Sequence, residues 1–211
     1  SFAINNEAGS TFILTGGTIT GTSGVYNNGT SGDTTSVSTT ITNGNITTTN
    51  YGISGNYYTA TIDSGSIISG DNYGIYEGYG TTVTVNSGAV VMSKSYGVYQ
   101  GQSSTFTLNG GLIEVNNNSN GDATGISGYS NTYYNYYGRV NVLGGTINVT
   151  NLKPSPNDYN IRGITGATTN FENGTININS AADTTGRWTG SVIGISGNGN
   201  GRISGGTINI T

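Results

Sequence analysis

The 211-residue sequence contains no cysteine and no histidine, and only 8% of its residues are charged. Without cysteine the chain forms no disulfide scaffold and offers no thiolate metal ligand. Without histidine it lacks the commonest general base and metal ligand at neutral pH. These absences count against most enzyme classes. We therefore expect a protein that is not an enzyme, with no cofactor and no metal.

Charge and hydrophobicity count against nucleic acid and membrane as partners. The formal net charge is −4, and the sequence contains no cluster of lysine and arginine, so we expect no nucleic-acid partner. No apolar run approaches the ~20 residues of a membrane-spanning helix, so we expect no direct membrane insertion. Leucine, alanine, lysine and glutamate are scarce, and apolar residues do not recur with helical spacing, which indicates very little helix.

Valine, isoleucine, threonine and tyrosine recur throughout, and 37 glycines punctuate them. A glycine followed two positions later by isoleucine or valine marks each of eight successive units, in segments such as GGTIT and GGTIN. These glycines are Gly17, Gly44, Gly65, Gly88, Gly111, Gly145, Gly174 and Gly206. A repeated unit of this kind indicates stacked coils, the shortest of which has about 21 residues.

Each coil is predicted to contain three short strands. The first precedes the repeat glycine, the second follows it, and the third contains a Gly-Ile or Gly-Val pair such as Gly52-Ile53. The second strands place Ile19, Ile46, Ile67, Val90, Met92, Ile113, Ile147, Ile176 and Ile208 at inward positions. Because the third-strand glycine is present in all seven copies, we infer a positive φ or no room for a Cβ atom there.

Stacked coils of this kind form an all-β fold, a single-stranded right-handed parallel β-helix (β-solenoid) of about eight coils, with residues 1–211 as one domain. Equivalent aliphatic side chains then line up about 4.8 Å apart and fill a narrow interior. An antiparallel sandwich or barrel also uses short strands separated by turns. The in-register repetition of three distinct motifs favours the solenoid. Right-handed winding is expected because parallel crossovers are nearly always right-handed.

The two ends of the repeat are predicted to be contact surfaces. The segment from Phe2 to Ile4 is expected to form a lone third strand, followed by a turn from Asn5 to Ser10. The eighth coil stops after its second strand, which contains Ile208 and Ile210. We therefore predict either that further coils continue the solenoid or that copies stack head to tail into a fibre.

Two further surfaces are candidates for binding a glycan or a host or cell-surface ligand. Tyr26, Tyr76 and Tyr99 occupy one outward position of the third strand, and Tyr51, Tyr73 and Tyr96 another. Exposed aromatic rings suit stacking on sugars and contacts with proteins, although a tyrosine ladder also stabilises coils without any ligand. Three insertions lie along one edge, which carries Lys153, Tyr159, Arg162, Arg187 and Trp188.

Two other functions are weaker alternatives. A polysaccharide-degrading β-helix enzyme needs clustered carboxylates, but Asp63 and Glu172 lie four coils apart, about 19 Å at ~4.8 Å per coil. Asp71, Glu77, Glu114 and Asp122 are expected to be solvated turn carboxylates without a nearby cation. An ice-binding β-solenoid would use an outward threonine array, which is predicted on the first strands as Ser38/Thr40, Thr59/Thr61, Thr82/Thr84 and Thr105/Thr107.

The units GGTINVT, from Gly144 to Thr150, and NGTININ, from Asn173 to Asn179, resemble the right-handed β-helix repeats of bacterial and archaeal adhesin-like surface proteins and autotransporter passengers. The resemblance covers the whole chain and concerns the fold far more than any single residue. It implies a secreted or cell-surface rod with a structural or adhesive role.

Overall fold

The computed structural model describes residues 1–33, 37–118, 121–131, 136–151, 159–180, 191–197 and 200–211. Within these ranges the regular structure consists of strands, and no helix is present that could cross a membrane. The strand-forming residues are the valine, isoleucine, threonine and tyrosine of the repeat, which pack well on a pleated, half-buried surface.

Each complete coil contributes one strand to each of three faces. The first face contains β2 (Thr11–Leu14), β5 (Ser38–Ile41), β8 (Thr59–Ile62), β11 (Thr82–Asn86), β20 (Thr168–Phe171) and β23 (Arg202–Ile203). The second contains β3 (Thr18–Gly21), β6 (Asn45–Thr48), β9 (Ile67–Gly70), β12 (Val90–Ser93), β21 (Thr175–Ser180) and β24 (Thr207–Ile210). Two long strands, β14 (Thr105–Asn117) and β18 (Arg139–Asn151), run through the corner between these faces and belong to both.

The third face is an eight-stranded sheet. It contains β1 (Phe2–Glu7), β4 (Ser23–Asn28), β7 (Tyr51–Asn56), β10 (Tyr73–Glu77), β13 (Tyr96–Gln100), β15 (Ala123–Ser127), β19 (Ile161–Thr165) and β22 (Val192–Ser196). A small antiparallel pair, β16 (Ser130–Asn131) and β17 (Tyr136–Tyr137), projects beside it.

All pairings described within the three faces are parallel, and each strand pairs with its counterpart in the next coil. This arrangement confirms the parallel β-helix and excludes the antiparallel sandwich. The interior is filled by aliphatic columns, one of which runs through the fully buried side chains of Val25, Ile53, Ile75, Val98, Ile126 and Ile164.

The predicted inward residues of two second strands are wrong by one position. Ile67 is 41% exposed and Val90 and Met92 are half-buried, whereas Ile68 and Val91 are fully buried. Three residues separate Ile41 from Asn45, whereas four separate their pairing partners Ile62 and Ile67 in the next coil. Four residues likewise separate Val85 from Val90, so the corners leading into β9 and β12 each have one extra residue. Since successive side chains of a strand point to opposite faces, one extra corner residue exchanges the inward and outward positions of the whole strand.

The third-strand glycines confirm the prediction that a Cβ atom has no room there. A Cβ on Gly52 would lie 2.6 Å from Cγ2 of Ile68 and 2.5 Å from the carbonyl oxygen of Gly74. The same arrangement recurs at Gly125, where Cγ2 of Ile147 is 2.4 Å away. The glycine therefore lets the third strand approach the second-strand aliphatic column across the narrow interior.

The first strand confirms part of the prediction for the start of the chain. Phe2 pairs with Ser23 and Ile4 with Val25, so this segment is a third strand. The predicted turn from Asn5 to Ser10 is present but starts later, because the strand continues to Glu7 and the Ser10 amide then donates to the Glu7 carbonyl oxygen at 3.0 Å. The Asn6 side chain is buried and donates to Oδ1 of Asn27 at 2.9 Å, which holds the strand in register past the predicted start of the turn.

Side-chain amides form a ladder at one corner of the solenoid. Asn109 donates to Oδ1 of Asn86 at 3.1 Å, and Asn86 donates to Oδ1 of Asp63 at 2.7 Å. A second ladder joins Asn148, Asn177 and Asn209 at 2.9 and 2.8 Å. Hydrogen bonds between equivalent amides of neighbouring coils add to the backbone pairing and fix the stacking register.

Candidate functional site

Two columns of tyrosine rings stand on the outside of the third face, and we call them together the tyrosine face. One column is Tyr51, Tyr73 and Tyr96, and the other is Tyr76 and Tyr99. Strand pairing places Tyr73 between Tyr51 and Tyr96, and Tyr76 beside Tyr99. The predicted alignment of these tyrosines is confirmed.

The rings contact one another along and between the columns. Within the first column the stacked rings are 5.2 Å apart at both steps, and the Tyr76 and Tyr99 rings stack at 5.1 Å. Between the columns, Tyr73 meets Tyr76 and Tyr99 edge-on at 5.4 and 5.7 Å. Stacked and edge-to-face contacts are the two geometries that aromatic pairs prefer, so neighbouring rings fix each other's orientation.

The tyrosine face is uncharged near neutral pH. Partial burial, and then the neighbouring rings, raise the pKa of Tyr73 to about 12, and burial likewise raises the pKa values of Tyr76 and Tyr96. The five side chains are half-buried, so each ring presents part of its surface to solvent. The face therefore offers apolar ring surface edged by hydroxyl groups that donate and accept hydrogen bonds.

The first column continues into the predicted loop edge. Tyr96 pairs with Thr124 and Thr124 with Arg162, so the arginine lies two coils beyond the last tyrosine of its column. Arg162 forms an ion pair with Asp122, with Nη1 and Oδ2 3.5 Å apart. The sequence did not show that these two candidate surfaces are contiguous.

The structure describes one of the four remaining residues predicted for the loop edge. Tyr159 is half-buried at the start of the segment that leads to Arg162. Lys153, Arg187 and Trp188 lie outside the described residues, and their place in a ligand surface stays a prediction.

The prediction of solvated carboxylates without nearby cations is wrong for three residues. Asp71 forms an ion pair with Lys94 of the next coil at 2.7 Å, and Asp122 forms the pair with Arg162. Glu77 is fully buried, because it points inward in the strand that also carries the outward Tyr76. Among the described residues, no group of three or more carboxylate, histidine or cysteine side chains is arranged to hold a metal ion.

Glu77 lies in a polar part of the interior, where the sequence predicted only aliphatic side chains. Its Oε2 accepts a hydrogen bond from Oγ1 of Thr81 at 3.3 Å, while its Oε1 and the Tyr58 hydroxyl have no hydrogen-bond partner. Burial raises the pKa of Glu77 to about 8, and burial followed by the charge of Glu77 raises the pKa of Tyr58. The sequence carried one signal for this polar region, because the inward column of the third strand contains Asn6, Asn27, Gly55, Glu77 and Gln100, and all of these except the glycine have polar side chains.

The threonine array of the first face is in register as predicted. Ser38, Thr59, Thr82 and Thr105 form one outward column, and Thr40, Thr61, Thr84 and Thr107 form the other. At one end Ile13, which is 60% exposed, pairs with Thr40, and at the other Arg139 and Asn141 follow Thr105 and Thr107. The array therefore spans four coils.

The residues predicted for end-to-end contact lie at opposite ends of the described solenoid. Phe2 is 40% exposed and Ile4 is half-buried in β1, the first strand of the third face. Ile208 and Ile210 are 40% and 52% exposed in β24, although they pair with the buried Ile176 and Ile178.

Comparison of the chain with known proteins finds no matching family model, no matching curated protein and no matching solved structure.

Proposed function

We propose that this chain is a non-catalytic structural or adhesive module of the extracellular space or cell surface, and that the tyrosine face is its ligand surface. The observation that carries the proposal is the two in-register tyrosine columns on the outside of a continuous parallel sheet. Partly exposed rings edged by hydroxyl groups are suited to stacking on sugar rings and to contacts with proteins.

The scaffold supports binding because it fixes the rings before a ligand arrives. Each tyrosine of the two columns has at least one stacked neighbour, and the strand beneath it is paired on both sides. A side chain that is already ordered loses little conformational entropy on binding, which leaves more of the contact energy for affinity.

A glycan is the ligand that best fits this chemistry. The face is neutral near pH 7, and the hydroxyl groups of its tyrosines match the hydroxyl groups of a sugar. The Asp122–Arg162 pair adds a charged group of each sign at one end of the first column. The resemblance to adhesin-like repeats supports the same function, in which a rod presents a binding surface away from a cell.

Removing a ring should weaken this binding. We expect Tyr73→Ala and Tyr99→Ala each to lower affinity for the bound glycan about tenfold, which corresponds to about 1.4 kcal/mol. Tyr73→Phe and Tyr99→Phe keep the stacked rings and should retain most of the affinity. A glycan array identifies the ligand, and titration calorimetry measures the affinities.

Thr84→Ala is the matched control, because it truncates an outward side chain on a different face. It should bind as tightly as the wild-type protein. A wild-type chain that binds no glycan on the array, or alanine variants that bind like the wild type, would contradict the proposal.

Two other functions make different predictions. Turnover of a polysaccharide that is lost in a carboxylate variant such as Asp122→Asn would favour a β-helix enzyme. The two threonine columns are the observation that favours ice binding, and a thermal hysteresis measurement tests it directly.

A further inference from the structure

One position in the outward tyrosine column has no ring. Tyr26 pairs with Ser54, and Ser54 pairs with Tyr76, so the serine stands between two tyrosines of the same column. The next position along is Tyr99. The column therefore has rings at every coil from Tyr26 to Tyr99 except at Ser54.

The missing ring leaves a slot with aromatic walls. On one side the Phe2 and Tyr26 rings stack at 4.6 Å, and on the other the Tyr51 and Tyr76 rings meet edge-on at 5.5 Å. Two coil steps separate the backbones of Tyr26 and Tyr76, or about 10 Å. The slot has a volume of about 270 Å³, and Ser54, Gly55 and Asn56 complete its lining.

The base of the slot contains an unsatisfied hydroxyl group. Ser54 is only 4% exposed, and its Oγ has no hydrogen-bond partner. Buried polar groups are nearly always paired, so an unpaired one that lines a cavity indicates a partner supplied by a ligand or by water. Gly55, beside the serine, has a φ of 149°, and a Cβ atom there would collide with the backbone of Asn27 in the neighbouring coil, so the lining requires glycine at this position.

The chemistry of the lining selects the class of ligand. None of the seven lining residues is charged, so the slot favours a neutral group over an ion. A ring that replaces the absent tyrosine must fill the space between two walls, and a chair-shaped sugar is thicker than a flat aromatic ring because C–H bonds project from both of its faces. Its hydroxyl groups also offer Ser54 the hydrogen bond that an apolar ring lacks.

We propose that this slot binds one neutral saccharide ring, with its two faces against the aromatic walls and one of its hydroxyl groups hydrogen-bonded to Ser54. The inference rests on the proposed glycan-binding function and assigns it a particular subsite. In the adhesive function, this ring would be an anchoring unit of a glycan that continues along the tyrosine face.

The test is a titration followed by amide chemical shifts of the whole chain. Methyl glycosides of glucose, galactose, mannose and N-acetylglucosamine are the saccharide probes, and phenol is the flat aromatic probe. We expect at least one glycoside to shift the amide signals of Ser54, Gly55 and Asn56 in a saturable way, at a lower concentration than phenol does.

The decisive variant is Ser54→Tyr, which supplies the missing ring from within the column. Because Tyr76 and Tyr99 occupy the same position in other coils, we expect this variant to fold, and its binding of the glycoside should be at least tenfold weaker. Ser54→Ala keeps the slot and removes only the hydroxyl group, so it should bind severalfold more weakly. Tyr26→Ala removes one wall, should also bind at least tenfold more weakly, and serves if Ser54→Tyr does not fold.

The outcomes separate the slot from the wider function. If no glycoside shifts these signals, if phenol binds more tightly, or if Ser54→Tyr binds like the wild type, the slot proposal is wrong. Glycan-array binding that persists in Ser54→Tyr and falls in Tyr73→Ala would then leave the function of the tyrosine face intact. Saturable shifts at the slot with no binding of any glycan on the array would instead contradict the adhesive function and leave the slot in place.

Discussion

Glu77 is a carboxylic acid that the fold keeps away from water. It is fully buried and has no hydrogen bond to Oε1, and burial raises its pKa from about 4.5 to about 8. The folded state therefore binds the Glu77 proton more tightly than the unfolded state does. Its contribution to stability is complete below pH 4.5 and is lost as the pH rises to about 8.

This linkage predicts how stability changes with pH. Because each pH unit between the two pKa values is worth up to about 1.4 kcal/mol, we expect the free energy of unfolding to fall by several kcal/mol over this range. Glu77→Gln keeps a similar shape and carries no charge, so it should raise stability at pH 8 and flatten the decline. Urea unfolding of both proteins at pH 5 and pH 8 measures the difference.

Glu172 provides the control, because it is an exposed carboxylate on the outside of the solenoid. Glu172→Gln should leave the decline between pH 5 and pH 8 as it is in the wild type. A Glu77→Gln variant that shows the same decline would mean that the buried carboxyl is not the group responsible.

At the scale of one element, the length of a corner decides which face of a strand is buried. The corner before β9 contains a turn in which the Ser66 amide donates to the carbonyl oxygen of Asp63 at 3.2 Å, and Gly65 has a φ of 74°. The corner before β12 repeats it, with Ala89 donating to Asn86 at 3.1 Å. The extra residue places Ile68, and not Ile67, in the interior.

The neighbouring isoleucines of β9 give a matched pair of variants. Ile68 is fully buried, so Ile68→Ala should cost about 2–5 kcal/mol by leaving a cavity in the aliphatic column. Ile67 is 41% exposed, and Ile67→Ala should change stability by about 0.5 kcal/mol or less. Urea unfolding of the two variants checks the register. Equal losses of stability would contradict it, and a larger loss for Ile67→Ala would show that Ile67 is the inward residue.

At the scale of the whole molecule, the two ends of the described solenoid are complementary. One presents the free edges of β1, β2 and β3, and the other presents those of β22, β23 and β24, one strand for each of the three faces. Addition of a second copy in the same direction would pair β22, β23 and β24 with β1, β2 and β3 of that copy, and β3 would cover Ile208 and Ile210. Exposed strand edges of this kind favour further pairing.

We therefore expect the 211-residue chain to self-associate through its ends. Ile208→Lys combined with Ile210→Lys places charge on the edge and should shift sedimentation velocity profiles towards the monomer. Thr82→Lys combined with Thr84→Lys is the control, because both residues face outward on β11, whose two edges are already paired with β8 and β14. A wild-type chain that stays monomeric as its concentration rises would contradict end-to-end contact, and electron microscopy would show whether association yields fibres.

The sequence by itself determined the features that repeat once in every coil. Parallel strands, buried third-strand aliphatics such as Ile53, tyrosine columns and the Asn86–Asn109 ladder all follow from it, because equivalent residues of stacked coils must lie next to each other. The repeat also predicted that Gly52 has either a positive φ or no room for a Cβ atom, and the structure confirms the second alternative.

The tertiary structure decided what depends on irregular corners and on contacts between different positions of the repeat. The extra corner residue that turns Ile67 outward does not change the spacing of the motif, so counting from the glycine places it in the core. The burial of Glu77 depends on the strands packed around it, and the slot at Ser54 depends on rings contributed by three other coils. A local pattern specifies which residues stack, but only the packed structure fixes how far apart their side chains stand and whether water reaches them.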